Sequence, residues 1–132
     1  MDVSRLPCPT LRIAKRQDAE SLFAALAAGT TEAVAIAYLG SERSLLGLRH
    51  VMGHADSARV PLTHIVRDAI LFSARGVLIA HNHPGGDPRP SAADLALTRR
   101  LAQGLDLLEV RLFDHLIFGS GQVTSLRALG ML

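Results

Sequence analysis

The sequence contains no tryptophan, one tyrosine, four phenylalanines and a single cysteine. One cysteine, Cys8, excludes both an intrachain disulfide and a thiolate-based zinc site, and a reducing, cytoplasmic location is the natural expectation. The scarcity of aromatics removes the stacking platforms on which single-stranded nucleic acid is usually held. No run of about 18 uninterrupted apolar residues occurs, which argues against a membrane span. Met1 to Gln17 mixes charge, proline and polar side chains with no apolar stretch, so it does not read as a secretory signal. A large charge excess is also missing: 14 Lys and Arg against 12 Asp and Glu leave +2. Two short basic clusters, Arg12-Lys15-Arg16 and Arg99-Arg100, read as solvated helix faces rather than a nucleic-acid-binding stripe.

What remains is a chain of 132 residues, 48% hydrophobic, enough for one domain with its own core. Residues 1 to 16 read as a peripheral N-terminal arm and 17 to 132 as a single domain. Asp18 to Ala28 has Leu22, Phe23 and Leu26 at helical spacing, with Gly29 as a stop. Ala33 to Leu39 is a short apolar run expected as a buried strand, and Leu45 to Met52 a second strand after a polar turn. Gly53 to Arg59 reads as loop. A helix is expected from Pro61 to about Ala74, then a central strand from Val77 to Ala80 leading into His81. Pro84 to Pro90 is proline- and glycine-rich loop. Ser91 opens a helix expected to stop at Gly104, and Leu107 to Phe113 alternates like a strand. Leu116 to Phe118 and Gln122 to Ser125 flank Gly119-Ser120-Gly121 as a hairpin. About three helices and five strands predict an α/β sandwich with a mixed sheet flanked by helices.

The chemistry concentrates between His81 and Asp94. On an extended chain His81 and His83 point to the same face, at the place where an apolar strand runs out into a loop. Ser91 and Asp94, three apart, share the first turn of the following helix. The intervening loop is long enough to fold that turn back over the strand end. His81, His83 and Asp94 would then offer two nitrogens and a carboxylate oxygen, which suits Zn2+ and leaves a fourth tetrahedral position for water. Metal-bound water would attack a carbonyl. Glu32, just before the first buried strand, is the candidate general acid/base, and Ser91 a candidate donor to the oxyanion. Plainer readings stand beside these. Ser-x-x-Asp is also a helix-capping device, a lone His-x-His is commonly surface chemistry, and Glu32 alone is a polar residue before a strand. Iron or manganese also accept two imidazoles and a carboxylate.

The string His-x-His-Pro, with serine eight residues after the second histidine and aspartate three later, resembles the JAMM motif of MPN-domain metalloproteases. His81-Asn82-His83-Pro84, Asp87-Pro88, Pro90-Ser91, Asp94, Thr98 and Leu112-Phe113-Asp114-His115-Leu116-Ile117 are similar to the RadC family of JAMM-like proteins, as are Thr124-Ser125-Leu126 and Gly130. The resemblance spans about residues 18 to 132. It implies a cytidine-deaminase-like fold with zinc near a strand end. It also implies the same roles for Glu32, His81, His83, Ser91 and Asp94, and a peptide or protein substrate. Gly85-Gly86 stands where the family usually has Ser-Gly, and Pro61-Leu62-Thr63 where it has Pro-Arg-Glu. The helix-hairpin-helix segment that usually precedes the domain is not found in these residues, which weakens a DNA-repair role attached to the family name.

Other zinc patterns are missing: there is no His-Glu-x-x-His, and no Pro-Cys-x-x-Cys pair for a nucleotide deaminase. The letters His-Asn-His do not make an HNH nuclease, whose residues are spread over a longer fold. His115 is expected behind the ligands rather than as a fourth one, and Asn82, on the opposite strand face, is expected to make a structural hydrogen bond. His50, His54 and His64 read as surface or core histidines. Three functions follow: a zinc metallopeptidase or isopeptidase, a non-catalytic MPN-like interaction scaffold, and DNA processing.

Overall fold

A computed structural model describes residues 2–5, 11–52 and 60–132; Cys8, His54 and the expected loop from Gly53 to Arg59 lie outside the described residues. Strands β1 (Asp2–Arg5), β2 (Ala33–Leu39), β3 (Leu45–Met52), β4 (Gly76–Asn82), β5 (Arg111–Gly119) and β6 (Gln122–Ser125) form one sheet in the order β1-β3-β2-β4-β5-β6. Only β4 and β5 run parallel; every other pairing is antiparallel. This is the expected mixed sheet flanked by helices, with β1 as an additional edge strand on β3.

Helices α1 (Arg16–Leu22) and α2 (Ala24–Ala27) cover one face, and α3 (Leu62–Leu71) and α4 (Ala92–Asp106) the other. The layers follow from the apolar pattern. Every residue of β2 and β4 is buried, because both faces of these central strands are covered. Val77 and Ile79 pack with Ile65, Leu97, Leu101 and Leu105 on the α3/α4 side. Leu78 and Ala80 pack with Ala19, Phe23 and Leu26 on the α1/α2 side. Across the first core, Arg49 and Tyr38 both hydrogen-bond the buried Asp68 carboxylate, at 2.5 Å from Arg49 Nε and 2.7 Å from the Tyr38 hydroxyl.

Several boundaries differ from the sequence expectation. The single helix expected over Asp18 to Ala28 is broken at Phe23, where the chain tightens to a bond from Leu26 N to Phe23 O (2.9 Å) and both side chains reach the core. Helix α4 does not stop at Gly104. Leu105 lies four residues beyond Leu101 and is wholly buried with it, so packing carries the helix past the glycine. The helix ends at Asp106 instead, and the turn after it closes at Glu109, left-handed at φ 58°, with Val110 N bonded to Leu105 O at 3.0 Å. Consequently Leu107 and Leu108 are exposed turn residues and not the start of a strand. β5 begins at Arg111 and runs unbroken through Gly119.

One irregularity positions the site. Val77 pairs with Leu112 but Leu78 pairs with Asp114, so Phe113 is an extra residue in β5. The bulge re-phases the strand. Leu112 faces α3 and α4, and simple alternation would send His115 to the other face; with the bulge, His115 lies opposite Ile79 and returns to the α4 side.

Candidate metal centre

At the C-terminal end of β4, His81 and His83 present their imidazoles to the same side. His81 is buried and ends the ordered core of the strand, while His83, half-buried, begins the loop. The loop is pinned rather than loose. His83 N bonds Phe118 O (2.7 Å), Gly86 N bonds His83 O (2.9 Å), and Ser120 Oγ donates to Gly86 O (2.7 Å). Gly119 permits this close approach, since a Cβ there would come within 2.8 Å of Gly86 O. Gly85, at φ 62°, occupies a left-handed turn position.

The chain then enters α4 through a reciprocal cap. Ser91 Oγ accepts from Asp94 N at 3.0 Å, and Asp94 Oδ2 accepts from Ser91 N at 2.8 Å. The cap fixes the Asp94 rotamer and aims its carboxylate, buried at 1% exposure, at the strand end. Asp94 Oδ1 lies 3.3 Å from His81 Nε2, and Oδ2 lies 3.4 Å from His83 Nε2. The two Nε2 atoms are 2.9 Å apart. His81, His83 and Asp94 thus form a cluster able to hold a metal ion. A tetrahedral zinc with bonds of about 2.0–2.1 Å sets its donors about 3.3 Å apart; each histidine has one Asp94 oxygen at about that distance, and the two Nε2 atoms stand closer, at 2.9 Å.

The surrounding hydrogen bonds decide which nitrogens carry protons. Thr98 Oγ1 donates its only proton to Asp94 O (2.8 Å), so toward His115 Nδ1 (2.6 Å) it is an acceptor. His115 therefore carries its proton on Nδ1, and its bare Nε2 accepts from His81 Nδ1 at 2.7 Å. His83 Nδ1 donates to Asp87 O at 2.8 Å. Both ligand candidates are left with an unprotonated Nε2, and these face each other beside a carboxylate. Two lone pairs and an anion converging at such distances repel, and a divalent cation between them removes the conflict. Metal-bound histidines characteristically donate their other N–H in this manner. His115 itself stays neutral: burial, reinforced by His81, pushes its pKa down to about 3.

Glu32 and Ser91 are placed differently. Ser91 is exposed, and its oxygen is engaged as the cap acceptor while its hydroxyl hydrogen is left to donate. Glu32 is exposed and is not among the three converging groups. The β2–β4 ladder ends at the pair Val34 and His81, two residues after Glu32. Asn82 secures that segment: its Oδ1 accepts from Ala33 N at 2.7 Å and its Nδ2 donates to Thr31 O at 3.1 Å. The structural hydrogen bond expected of Asn82 is thus made on both sides of Glu32. Thr98 had no role in the sequence reading of the site; the signal was its spacing, one helical turn after Asp94. His50 is exposed, and His64 is half-buried with an unpartnered Nδ1 among the described residues.

Comparison with known proteins agrees with this geometry. The family model described as the RadC-like JAB domain matches residues 13–131. A UPF0758 protein of Acidithiobacillus ferrooxidans is 41% identical over 100 residues, covering 75% of this chain and 45% of the relative. UPF0758 proteins of Xanthomonas oryzae and Xanthomonas campestris are 37% and 39% identical over 108 and 106 residues, covering 81% and 80% of this chain and 48% and 47% of theirs. The chain therefore spans about half the length of the curated relatives it matches. With the sheet, the capped helix and the His-His-Asp cluster all in place, the chain belongs to the RadC-like JAB domain family.

Proposed function

We propose that this domain is a zinc-dependent hydrolase of amide bonds, a metallopeptidase or isopeptidase acting on a peptide or protein substrate, in the reducing cytoplasm that its cysteine usage suits. The observation that carries the reading is the convergence of two bare Nε2 atoms and the Asp94 carboxylate within 3.4 Å of one another. A zinc ion there would supply Lewis acidity and bring water's ionisation to near neutral pH.

The chain's own residues supply the rest. His81, His83 and Asp94 hold the metal, and the Ser91 cap keeps Asp94 in its rotamer. Glu32, exposed and two residues before the position that pairs with His81, takes a proton from the attacking water and returns it to the leaving amine. The Ser91 hydroxyl donates to the carbonyl oxygen as negative charge develops on it. Asn82 holds the backbone on either side of Glu32.

The test has two steps. Purified parent protein should contain about one zinc per chain and the His81→Ala and Asp94→Ala variants close to none. Equal metal in all three would remove the ligand assignment. Glu32→Gln should then keep the metal and lose cleavage of peptide or isopeptide substrates by about 100-fold or more. Undiminished cleavage would remove Glu32 from the mechanism. A metal-loaded domain that cleaves nothing yet captures a partner regardless of chelation would instead be an interaction scaffold.

A further inference from the structure

On the opposite face of the sheet from the metal centre, a cavity of about 190 Å3 lies between α1, the turn at Ser41–Arg43 and the start of β5. Its floor is apolar, built on Ile13, Leu39 and Leu78. Its walls carry five cations, Lys15, Arg16, Arg43, Arg111 and Arg127, against one carboxylate, Asp114. A chain with a net charge of only +2 has therefore gathered much of its positive charge at one hollow. Asp114 subtracts one charge from the five; its oxygens accept from His115 N (2.7 Å), Ser125 Oγ (2.5 Å) and Arg127 N (3.1 Å), fastening β5 to the C-terminal turn. Glu20 pairs with Arg16 at 3.2 Å, and Asp18 is occupied by the backbone N–H groups of Ala14 and Lys15.

The cations are held in place. Arg127 is fixed on the carbonyls of Leu112 and Phe113, Arg16 on Val123 O (3.1 Å) and Arg43 on Ala14 O (3.2 Å). The Arg43 and Arg111 guanidiniums lie 4.6 and 5.7 Å from the Phe113 ring. Phe113 is the bulged residue of β5, and its ring fits only because residue 76 is glycine: a Cβ there would stand 2.0 Å from it. Arg43 reaches the ring from a left-handed backbone (φ 58°) preceded by a second left-handed residue, Glu42 (φ 55°). Non-glycine residues hold that conformation only where the surrounding structure imposes it. Among the described residues Arg111 has no carboxylate or carbonyl partner for its guanidinium. Both guanidiniums lie near one ring on the cavity wall, and their charges add in drawing an anion to the cavity.

We propose that this cavity binds the phosphoryl group of a small phosphorylated molecule, with Arg43 and Arg111 as its principal contacts. Planar guanidinium forks match phosphate oxygens two at a time. The volume corresponds to roughly six water molecules, room for a phosphoryl group and a short attached chain. The proposal is independent of the metal centre.

Calorimetric titration of the whole chain with glycerol 3-phosphate at constant ionic strength tests it, with a short 5′-phosphorylated DNA strand as the second arm. One saturable site is expected for glycerol 3-phosphate. Arg43→Gln and Arg111→Gln should each weaken it about tenfold or more, and Arg111→Lys, which keeps the charge and loses the fork, by less. Arg100→Gln on α4 and His81→Ala should leave affinity unchanged, with circular dichroism confirming that each variant is folded. Absence of saturable binding at millimolar concentration would overturn the proposal. So would equal weakening by Arg100→Gln, or binding of the strand without binding of the small ester.

Discussion

His81 Nδ1 lies 2.7 Å from His115 Nε2, and that contact decides which nitrogen His81 turns toward His83 and Asp94. The relay begins at Thr98, one helical turn after Asp94, and reaches the ligand cluster through His115, which is not itself one of the three converging groups. Thr98→Val removes the acceptor for His115 Nδ1 and frees the His115 and His81 rings to exchange tautomers. Metal affinity should fall about 10–100-fold, measured by competition with a chromophoric chelator, while Thr98→Ser should retain it. Parent-like affinity in Thr98→Val would mean that the tautomers are set elsewhere.

Asn82 shows a second kind of support. Its side chain satisfies the buried N–H of Ala33 and the carbonyl of Thr31, so it holds the strand entrance rather than the metal. Asn82→Ala orphans that N–H, at a cost of about 1–3 kcal/mol. Thermal unfolding should drop by several degrees while zinc content stays at the parent level. Asn82→Asp keeps the acceptor for Ala33 and should lie between the two. Loss of zinc with an unchanged melting point would reverse this division of labour.

Much of this was legible in the sequence because it is local. The seven apolar residues of β2, the apolar run into His81, the shared face of His81 and His83, and the Ser91–Asp94 cap are all matters of spacing within one element. What was not legible depends on contact between distant elements. The bulge at Phe113 is invisible in an alternating string, because nothing in Leu112-Phe113-Asp114 says that Leu78 will skip a residue. The extension of α4 beyond Gly104 is decided by the core that receives Leu105, and the turn after it closes at a left-handed Glu109 that no glycine announces. Lys15 and Arg16 are exposed, as expected, but their meeting with Arg43, Arg111 and Arg127 around one cavity arises only in three dimensions.

The buried group formed by Arg49, Tyr38 and Asp68 makes stability depend on acid. Burial alone would raise the Asp68 pKa, but hydrogen bonds from Arg49 and Tyr38 outweigh it and hold the carboxyl below its ordinary value. A carboxylate whose folded pKa is depressed contributes its full stabilisation above the unfolded value, about 3.9, and loses it as pH falls through the folded value. The gap in unfolding free energy between the parent and Asp68→Asn should therefore be widest above about pH 4 and narrow below it, as read from urea titrations at several pH values. Arg49→Ala strands the carboxylate and should cost about 3–5 kcal/mol. A gap that does not change with pH would show that Asp68 is not the group being titrated.

Zinc itself should act as a folding ligand. His83 arrives from the loop, His81 from β4 and Asp94 from α4, so an ion held by all three ties a strand, a loop and a helix together only in the folded chain. Free zinc at 100 times its dissociation constant should add about 2.7 kcal/mol, and for a chain of this length each kcal/mol moves the melting point by about 3–5 °C. The shift should grow with the logarithm of zinc concentration, disappear on chelation, and be absent in His81→Ala, His83→Ala and Asp94→Ala. Glu32→Gln should keep it in full, since Glu32 lies outside the converging donors. A parent whose melting point ignores zinc, or an Asp94→Ala variant that responds like the parent, would show that these three side chains do not meet around a metal.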